Sequence, residues 1–174
     1  ISMPHLSDGL YGSEVFVAVN GVFAGYLLIS DTIRPDAEAS ISRLKALGLH
    51  TVMLTGDSEN SAWAVASKTG IDEVHARLLP QDKLELLSSI RKEHGPVMFV
   101  GDGINDAPVL AGADVGAAMG SGADAAIEAA DAVFMTTDTD SVPQSIRIAR
   151  GTNRIAVQNV VIALAIKIFV MILG

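Results

Sequence analysis

Apolar and polar residues along this chain follow two alternating patterns, one typical of strands and the other of helices. Short apolar runs bounded by turn residues have the length of buried strands, and apolar residues three or four apart have the period of amphipathic helices. The predicted strands are 15–19, 22–29, 51–54, 74–78, 97–100, 115–118 and 132–135; the predicted helices are 35–47, 58–69, one that begins at 80, a short one after the fifth strand, and 123–130. Strand and helix alternate from residue 51 onward, which predicts an α/β fold with a mostly parallel, doubly wound sheet.

The first two strands are predicted to form a β-hairpin. They flank Asn20-Gly21, a pair that suits a tight turn because both residues readily adopt positive φ. Residues 1–12 contain Pro, Gly and Ser without periodicity and are expected to form a loop. Residues 31–36 interrupt the apolar pattern, so a hinge is expected there, and Pro35 is expected to open the next helix.

Residues 97–108 give the strongest indication of a functional site. An apolar strand runs directly into a Gly-Asp-Gly turn centred on Asp102, and Asn105 and Asp106 follow within one helical turn of it. Two carboxylates this close repel one another unless a cation lies between them, and hard oxygen ligands suit Mg²⁺. Asp102 and Asp106 are therefore predicted to hold Mg²⁺; the alternative is a plain Asp-Gly turn followed by a capped helix.

Two further polar segments are predicted at the same edge of the sheet. Thr55-Gly56-Asp57 directly follows a strand, and Lys83 lies in the first turn of a helix. A cation at the positive end of a helix indicates an anion close by, although a solvated surface Lys fits the same pattern. A hydroxyl, an ammonium and a Mg²⁺ site together are the equipment for phosphoryl transfer. The nucleophile is missing from this set, because no strand that ends in an Asp-rich loop precedes Thr55.

Composition limits the classes of protein to which this chain can belong. The chain is 49% hydrophobic with a mean hydropathy of +0.40, which is high for a purely soluble protein. A formal charge of -8, without a basic run, makes nucleic acid an improbable partner. Cys is absent, which excludes disulfides and thiolate metal ligands within this chain. The four histidines, at 5, 50, 75 and 94, show no ligand spacing and are expected at the surface or at strand edges.

Residues 155–173 are predicted to form a membrane helix. These nineteen residues are apolar apart from Gln158, Asn159 and Lys167, and their number approaches the roughly 20 needed to cross a bilayer. Three arginines, at 147, 150 and 154, precede the apolar run, which puts residues 1–150 on the cytoplasmic side. The alternative is a buried amphipathic helix of the soluble domain.

Five motifs in this order resemble the phosphorylation domain of P-type ATPases. The motifs are Asp31-Thr32-Ile33-Arg34-Pro35, Thr55-Gly56-Asp57, Leu79-Pro80-Gln81-Asp82-Lys83, Gly101-Asp102-Gly103-Ile104-Asn105-Asp106-Ala107-Pro108 and Met119-Gly120-Ser121-Gly122. The resemblance covers the chain from about residue 14 onward. It implies the haloacid-dehalogenase-like fold, whose members use an Asp nucleophile and Mg²⁺.

The resemblance also implies how the chain is divided. Residues 1–30 would be the end of a nucleotide-binding domain, 31–150 the phosphorylation domain without its nucleophile loop, and 151–174 the start of a C-terminal transmembrane region. In the family the phosphorylated Asp lies in an Asp-Lys-Thr-Gly-Thr loop, which this sequence does not contain. The chain is therefore expected to be a fragment that cannot form the phosphoenzyme by itself and that depends on the remainder of the pump, with Mg²⁺ and ATP as cofactors.

Residue roles follow from the same resemblance. Phosphate or nucleotide contacts are implied for Thr55, Gly56 and Lys83, further catalytic roles for Asp57 and Asn105, Mg²⁺ ligation for Asp102 and Asp106, and hinge positions for Asp31, Arg34 and Pro35.

Lys167 is the residue that indicates which class of ion is transported. An ammonium inside a membrane helix is costly and therefore functional by default, and Asn159, eight residues earlier, is expected on roughly the same helix face. Gln158-Asn159 followed by Lys167 resembles the zinc/cadmium/lead-exporting branch of heavy-metal-translocating P-type ATPases, which implies export of a divalent metal ion across the cell membrane. The alternatives are a copper-exporting pump, a soluble phosphatase of the same fold, a module that only binds Mg²⁺ or nucleotide, and a Lys167 that reaches the membrane interface from a tilted helix.

Overall fold

Parallel strand pairing organises the middle of the chain. The computed structural model describes residues 13–29, 32–101, 104–120 and 124–174. The strands are β1 (Ser13–Val19), β2 (Val22–Ile29), β3 (Val52–Leu54), β4 (Glu73–His75), β5 (Met98–Gly101), β6 (Val115–Met119) and β7 (Ala132–Phe134); the helices are α1 (Ala37–Ala46), α2 (Glu59–Thr69), α3 (Pro80–His94), α4 (Ala107–Gly112), α5 (Asp124–Ala129) and α6 (Ser141–Leu173), with a 3₁₀ turn at Ile104–Asp106. Strand β3 pairs with β4, and β5, β6 and β7 pair in that order, all in parallel.

Each connection between successive parallel strands carries a helix, from α2 after β3 to α5 after β6. A parallel pair needs such a crossover because the chain must return to the same end of the sheet before the next strand begins. The α/β fold predicted from the alternating pattern is therefore confirmed. The carboxyl ends of paired strands lie at the same edge, where the polar motifs were predicted.

The hairpin is formed by β1 and β2. Asn20 and Gly21 have φ values of 52° and 80°, as the predicted tight turn requires, and Val19 pairs with Val22 across it. The pairing shifts register between Val17 and Ala18.

Helix α1 begins at Ala37, so the prediction that Pro35 opens it is wrong. Pro35 and Asp36 form a turn, and the Asp36 carboxylate turns away from the helix to accept hydrogen bonds from Thr139, at 2.7 Å from both its hydroxyl and its backbone nitrogen. These bonds hold the pKa of the Asp36 carboxyl well below its usual range. The carboxylate thus fastens the start of α1 to the loop before α6.

Strand β4 is shorter than the predicted 74–78. It ends at His75, because Arg77 adopts a left-handed φ of 56° and the chain bends back over the loop that follows β3. There the backbone nitrogen of Leu78 donates to the carbonyl of Thr55 at 3.0 Å, and that of Arg77 donates to the carbonyl of Asp57 at 2.9 Å. The bend ties the two strand ends together.

Helix α6 runs without a break from the α/β unit into the apolar segment. Val142 and Pro143 are buried, an ion pair joins Arg43 to Asp140, and Arg150 donates to the carbonyl of Leu47 at 2.6 Å. From Gly151 onward every residue is exposed, and the most apolar 18-residue window has a mean hydropathy of 2.3. Among the described residues, α6 is the one helix long and apolar enough to cross a membrane.

Small residues dominate the core, which lets helices approach the sheet closely. The buried apolar residues are Ala62, Ala66, Leu87, Ile90, Val109, Leu110, Ala117, Ala118, Ala126 and Val142. The tightest approach is at Gly116 of β6, where an added Cβ would lie 2.4 Å from the carbonyl oxygen of Leu110 in α4. No side chain fits there without moving the backbone of α4.

Gly116→Ala is therefore expected to destabilise the chain by about 3 kcal/mol, the upper part of the usual range for overpacking. Gly151→Ala is the matched control, because an added Cβ at Gly151 in α6 meets open space. It should be neutral or stabilise by up to about 1 kcal/mol, since Ala favours a helix interior. Thermal unfolding followed by circular dichroism in detergent measures both, and equal midpoints for the two variants would contradict the close contact.

Candidate functional site

The candidate site lies at the carboxyl-end edge of the parallel strands. It is built from the loop after β3, the first turn of α3 and the segment after β5. A continuous set of contacts joins these three pieces, from Thr55 through Leu78 to the start of α3, and from Lys83 of α3 to Asp106. Two of the predicted site segments thus meet directly, and the third is attached through the bend after β4.

The closest polar contact in the site joins Lys83 and Asp106. The Lys83 ammonium donates to Asp106 Oδ1 at 2.7 Å, and both side chains are only 16% exposed. The anion that a Lys in the first turn of a helix indicates is therefore present, and it is this carboxylate. The contact joins residues 23 positions apart and connects α3 to the segment that follows β5.

Local structure fixes Lys83 in place. Pro80 is the first residue of α3, and the Asp82 carboxylate accepts a hydrogen bond from the backbone nitrogen of Leu79 at 2.8 Å. This bond satisfies an N–H group that the helix itself leaves free. The first turn is therefore well formed, and it holds the base of the Lys83 side chain.

Asp106 lies against the end of β5. A Cβ added to Gly101 would come within 3.1 Å of both Cβ and Oδ2 of Asp106, so the absence of a side chain at Gly101 makes room for the carboxylate. One carboxylate oxygen faces Lys83 and the other faces the strand end. The glycine before the predicted metal ligand thus has a packing role as well as a turning role.

The Thr55-Gly56-Asp57 segment forms a compact turn. The Thr55 hydroxyl donates to Asp57 Oδ2 at 2.8 Å and accepts from the Asp57 backbone nitrogen at 3.1 Å. Thr55 is half-buried, whereas Gly56 and Asp57 are exposed. The turn leaves the Gly56 backbone exposed to solvent after the end of β3.

Asp106 is a suitable ligand for Mg²⁺. The ion is bound in proteins by one or two carboxylates together with waters and phosphate oxygens, and Asp106 supplies a hard oxygen donor at the strand edge. Asp102, the other predicted ligand, lies outside the described residues. Lys83 contacts Asp106, so its ammonium lies next to the predicted metal site.

The remaining predicted site residues lie near Asp106 or in front of α1. Asn105 is exposed beside Asp106. In front of α1, Arg34 Nε lies 3.6 Å from Asp36 Oδ1, and Pro35 is exposed between them. The predicted residues that lie outside the described part of the chain are Asp31 of the hinge, Asp102 and Gly103 of the central motif, Ser121 and Gly122 of the last motif, and the loop at 1–12.

Asn159 and Lys167 are both exposed on α6. Eight residues of α-helix separate their positions by about 12 Å along the axis and by about 80° around it. They therefore lie on neighbouring sectors of the helix rather than on one line.

Three histidines converge on Glu73. Their spacing in the sequence did not reveal this cluster. Glu73 lies within 4 Å of ring nitrogens of His50, His75 and His94. His50 precedes β3, His75 ends β4 and His94 ends α3. Only the topology could have revealed this cluster, because the fold brings the start of β4 close to the end of α3.

An α/β fold with carboxylate, ammonium and hydroxyl groups at its strand ends defines a class of phosphate-handling domain. Two families, both described as haloacid dehalogenase-like hydrolases, match residues 5–114 and residues 84–146. The chain belongs to the haloacid dehalogenase-like hydrolase family.

Within that class the chain is similar to metal-transporting P-type ATPases. It is 50% identical over 98% of its length to a zinc-transporting ATPase of Synechocystis, and 48% identical over 94% to a cadmium, zinc and cobalt-transporting ATPase of Bacillus subtilis. A crystal structure of a zinc-transporting PIB-type ATPase in its E2.Pi state superposes with a TM-score of 0.78, at 43% identity over 87% of this chain and 25% of that one. The chain spans 24% of the length of each of these two relatives. The resemblance found in the motifs is confirmed.

The contact between Lys83 and Asp106 should be measurable as a coupling free energy. Lys83→Met leaves a mostly buried carboxylate without its partner and is expected to cost about 1–3 kcal/mol of unfolding free energy, as is Asp106→Asn. The double variant should cost less than the sum of the two, since the second substitution removes a group already unpaired. Chemical denaturation of the chain in detergent measures all three.

Lys68→Met is the matched control, because Lys68 is an exposed residue of α2. It should change the free energy of unfolding by less than about 0.5 kcal/mol. Strictly additive effects of Lys83→Met and Asp106→Asn would show that the two residues are not coupled.

Proposed function

We propose that this chain is part of an ATP-driven pump that exports a divalent heavy-metal ion, with Zn²⁺, Cd²⁺ and Pb²⁺ as the candidates. Its part would be the Mg²⁺- and phosphate-binding portion of the phosphorylation domain. The observation that carries the proposal is the Lys83–Asp106 pair at the strand edge. It occurs in a chain that is similar over nearly its whole length to zinc-transporting ATPases.

The proposed division follows the elements of the chain. Residues 1–30, with the β1–β2 hairpin, are assigned to the end of the nucleotide-binding domain, and residues 31–150 to the phosphorylation domain. Residues 151–174 are assigned to the membrane region, with residues 1–150 on the cytoplasmic side. The continuous helix α6 supports this arrangement, because it would connect the site mechanically to the bilayer.

Thr55, Gly56 and Lys83 are proposed to bind the phosphoryl group, with Asp57 holding the Thr55 turn in shape. The 2.8 Å hydrogen bond from Thr55 to Asp57 supports that last role. Lys83 would share its ammonium between Asp106 and the phosphoryl oxygens, which neutralises the charge that develops during transfer. Asn105 is proposed as a further polar contact at this edge.

Asp102 and Asp106 are proposed to hold Mg²⁺. When bound there, the ion would screen the negative charge of the phosphoryl group and of the carboxylates. Asp106 would then lie between two cations, the ion and the Lys83 ammonium, which keeps the carboxylate ionised and in place. ATP would be the phosphoryl donor. Asp31, Arg34 and Pro35 are proposed as the hinge through which the two domains move.

Lys167 is proposed to act in the transport pathway with Asn159. Among the residues from 155 to 173 it is the one charged side chain, and a membrane-embedded ammonium is retained where it faces a bundle interior or an acidic partner. The copper-exporting alternative and the phosphatase alternative both give Lys167 no such role. Its removal therefore separates these functions.

A chimera tests the proposal directly. The matching segment of the Bacillus subtilis relative is replaced by this chain, and metal-stimulated ATP hydrolysis is measured in membrane vesicles. Hydrolysis should be stimulated by Zn²⁺ or Cd²⁺. Lys167→Ala should lower this stimulation by about 10-fold or more, which corresponds to about 1.4 kcal/mol, while leaving nucleotide binding unchanged.

Lys68→Ala, at an exposed position of α2, is the control and should hydrolyse ATP at the unsubstituted rate. A folded chimera that is stimulated by Cu⁺ and not by Zn²⁺ or Cd²⁺ would refute the divalent-ion assignment. An unchanged Zn²⁺ response in Lys167→Ala would show that this Lys only reaches the membrane interface. A folded chimera without any metal-stimulated hydrolysis would refute the pump assignment itself.

A further inference from the structure

A second cluster of side chains that could bind a ligand lies near the starts of β3 and β4, whereas the candidate phosphate site lies at the carboxyl ends of the strands. It consists of His50, Glu73 and His94, whose ligand atoms all lie within 4.8 Å of one another. His50 comes before the start of β3, Glu73 is the first residue of β4, and His94 is the last residue of α3. Lys83, in contrast, lies at the other end of α3, so one helix reaches both sites.

We propose that His50, Glu73 and His94 form a binding site for a divalent transition-metal ion of the Zn²⁺ type. The proposal rests on these side chains alone and is independent of the proposed pump function. Two imidazoles and one carboxylate are ligands that suit Zn²⁺, whereas Mg²⁺ favours oxygen ligands alone.

Two distances in the cluster are close to the ligand separation of a tetrahedral site. Glu73 Oε2 lies 3.1 Å from His50 Nε2 and 3.7 Å from His94 Nε2. Ligand atoms bound about 2.0–2.1 Å from a tetrahedral ion are separated by about 3.4 Å, which falls between these two values. All three ligand atoms already lie within 4.8 Å of one another, so rotation of the side chains is the change that an ion would require.

The two histidine rings are arranged side by side. The rings of His50 and His94 are stacked, with centroids 4.2 Å apart and planes inclined by 21°. Both direct their Nε2 atoms toward the same carboxylate oxygen, Glu73 Oε2. The lone pairs of imidazole nitrogens lie in the ring planes, so an ion would be bound in front of the ring edges, beside Glu73 Oε2, once the rings had turned out of their stack. Water could take a fourth position because all three residues are about one-third exposed.

Neighbouring groups support the three ligands. His75 Nε2 lies 2.6 Å from Glu73 Oε1, so one carboxylate oxygen is held while the other faces His50 and His94. Asp72 Oδ2 lies 3.8 Å from His50 Nδ1, on the far side of that ring. Such outer contacts orient metal ligands and raise their basicity.

Two negative features lie next to His94. His94 ends α3, where the unpaired carbonyls give a helix its partial negative charge. Glu93 lies next to it, with its Oε1 atom 3.9 Å from His94 Nε2. A bound ion would connect the end of α3 to the starts of β3 and β4, and we expect it to raise the thermal midpoint of the chain.

Zinc titration of the full chain in detergent tests the site, after treatment with a chelator and in the presence of excess Mg²⁺ to occupy carboxylate-only sites. Isothermal titration calorimetry should detect one Zn²⁺ per chain. His50→Ala, His94→Ala and Glu73→Gln should each weaken binding by at least about 100-fold, and His75→Ala, which loses an orienting contact, by about 10-fold.

Glu85→Gln is the matched control, because Glu85 is an exposed carboxylate on the same helix and outside the cluster. It should bind Zn²⁺ with unchanged affinity. The absence of stoichiometric Zn²⁺ binding, or unchanged binding in His50→Ala and His94→Ala, would overturn the proposal.

X-ray absorption spectroscopy of the Zn²⁺-loaded, unsubstituted chain keeps the test valid if a variant fails to fold. The account predicts outer-shell scattering from two imidazoles around the bound zinc. Zinc surrounded by oxygen ligands without imidazole scattering would overturn the assignment. This measurement does not involve ATP or transport, so its failure would leave the proposed pump function untouched.

Discussion

The ion pair between Lys83 and Asp106 is the contact on which the candidate phosphate site depends. It joins the first turn of α3 to the segment after β5 over 2.7 Å, in surroundings that leave each side chain 16% exposed. Without the pair, an ammonium and a carboxylate would each be partly desolvated without compensation. Parallel strand pairing creates the edge, and the ion pair brings its two halves into contact.

Around that pair, each neighbouring element has a separate physical task. Gly101 makes room for the Asp106 carboxylate, Asp82 closes the first turn beneath Lys83, and the left-handed Arg77 bends the chain so that Leu78 reaches Thr55. The groups proposed to bind phosphate therefore depend on glycine and turn geometry as much as on charge.

Much of the fold could be predicted because its signals are local. The Asn20-Gly21 turn, the apolar strand before Gly101 and the Pro80 helix start each follow from a few neighbouring residues, and the structure has all three. The start of α1 was misplaced because the Asp36 carboxylate bonds to Thr139, 103 residues away, instead of to its own helix. The end of β4 was misplaced because a contact with the loop after β3 overrides strand propensity at Arg77.

The same distinction holds for the candidate sites. The contact between Lys83 and an anion was foreseen from the helix dipole, although the identity of the anion required the fold. The convergence of His50, His75 and His94 on Glu73 was not foreseen, since the four residues come from the segment before β3, from β4 and from the end of α3. Sequence spacing reveals ligands that lie on one helix or strand. It does not reveal ligands that come from three separate elements of the fold.

Paramagnetic broadening in NMR can show whether the strand edge beside Asp106 binds Mg²⁺. Mn²⁺ replaces Mg²⁺ in a ¹⁵N-labelled sample of the chain in detergent, and the loss of amide signal is followed residue by residue. If Mg²⁺ binds there, the strongest broadening is expected at the backbone amides of Gly101 and Asp106, next to the proposed ligands. Sharp signals from both amides at saturating Mn²⁺ would contradict it.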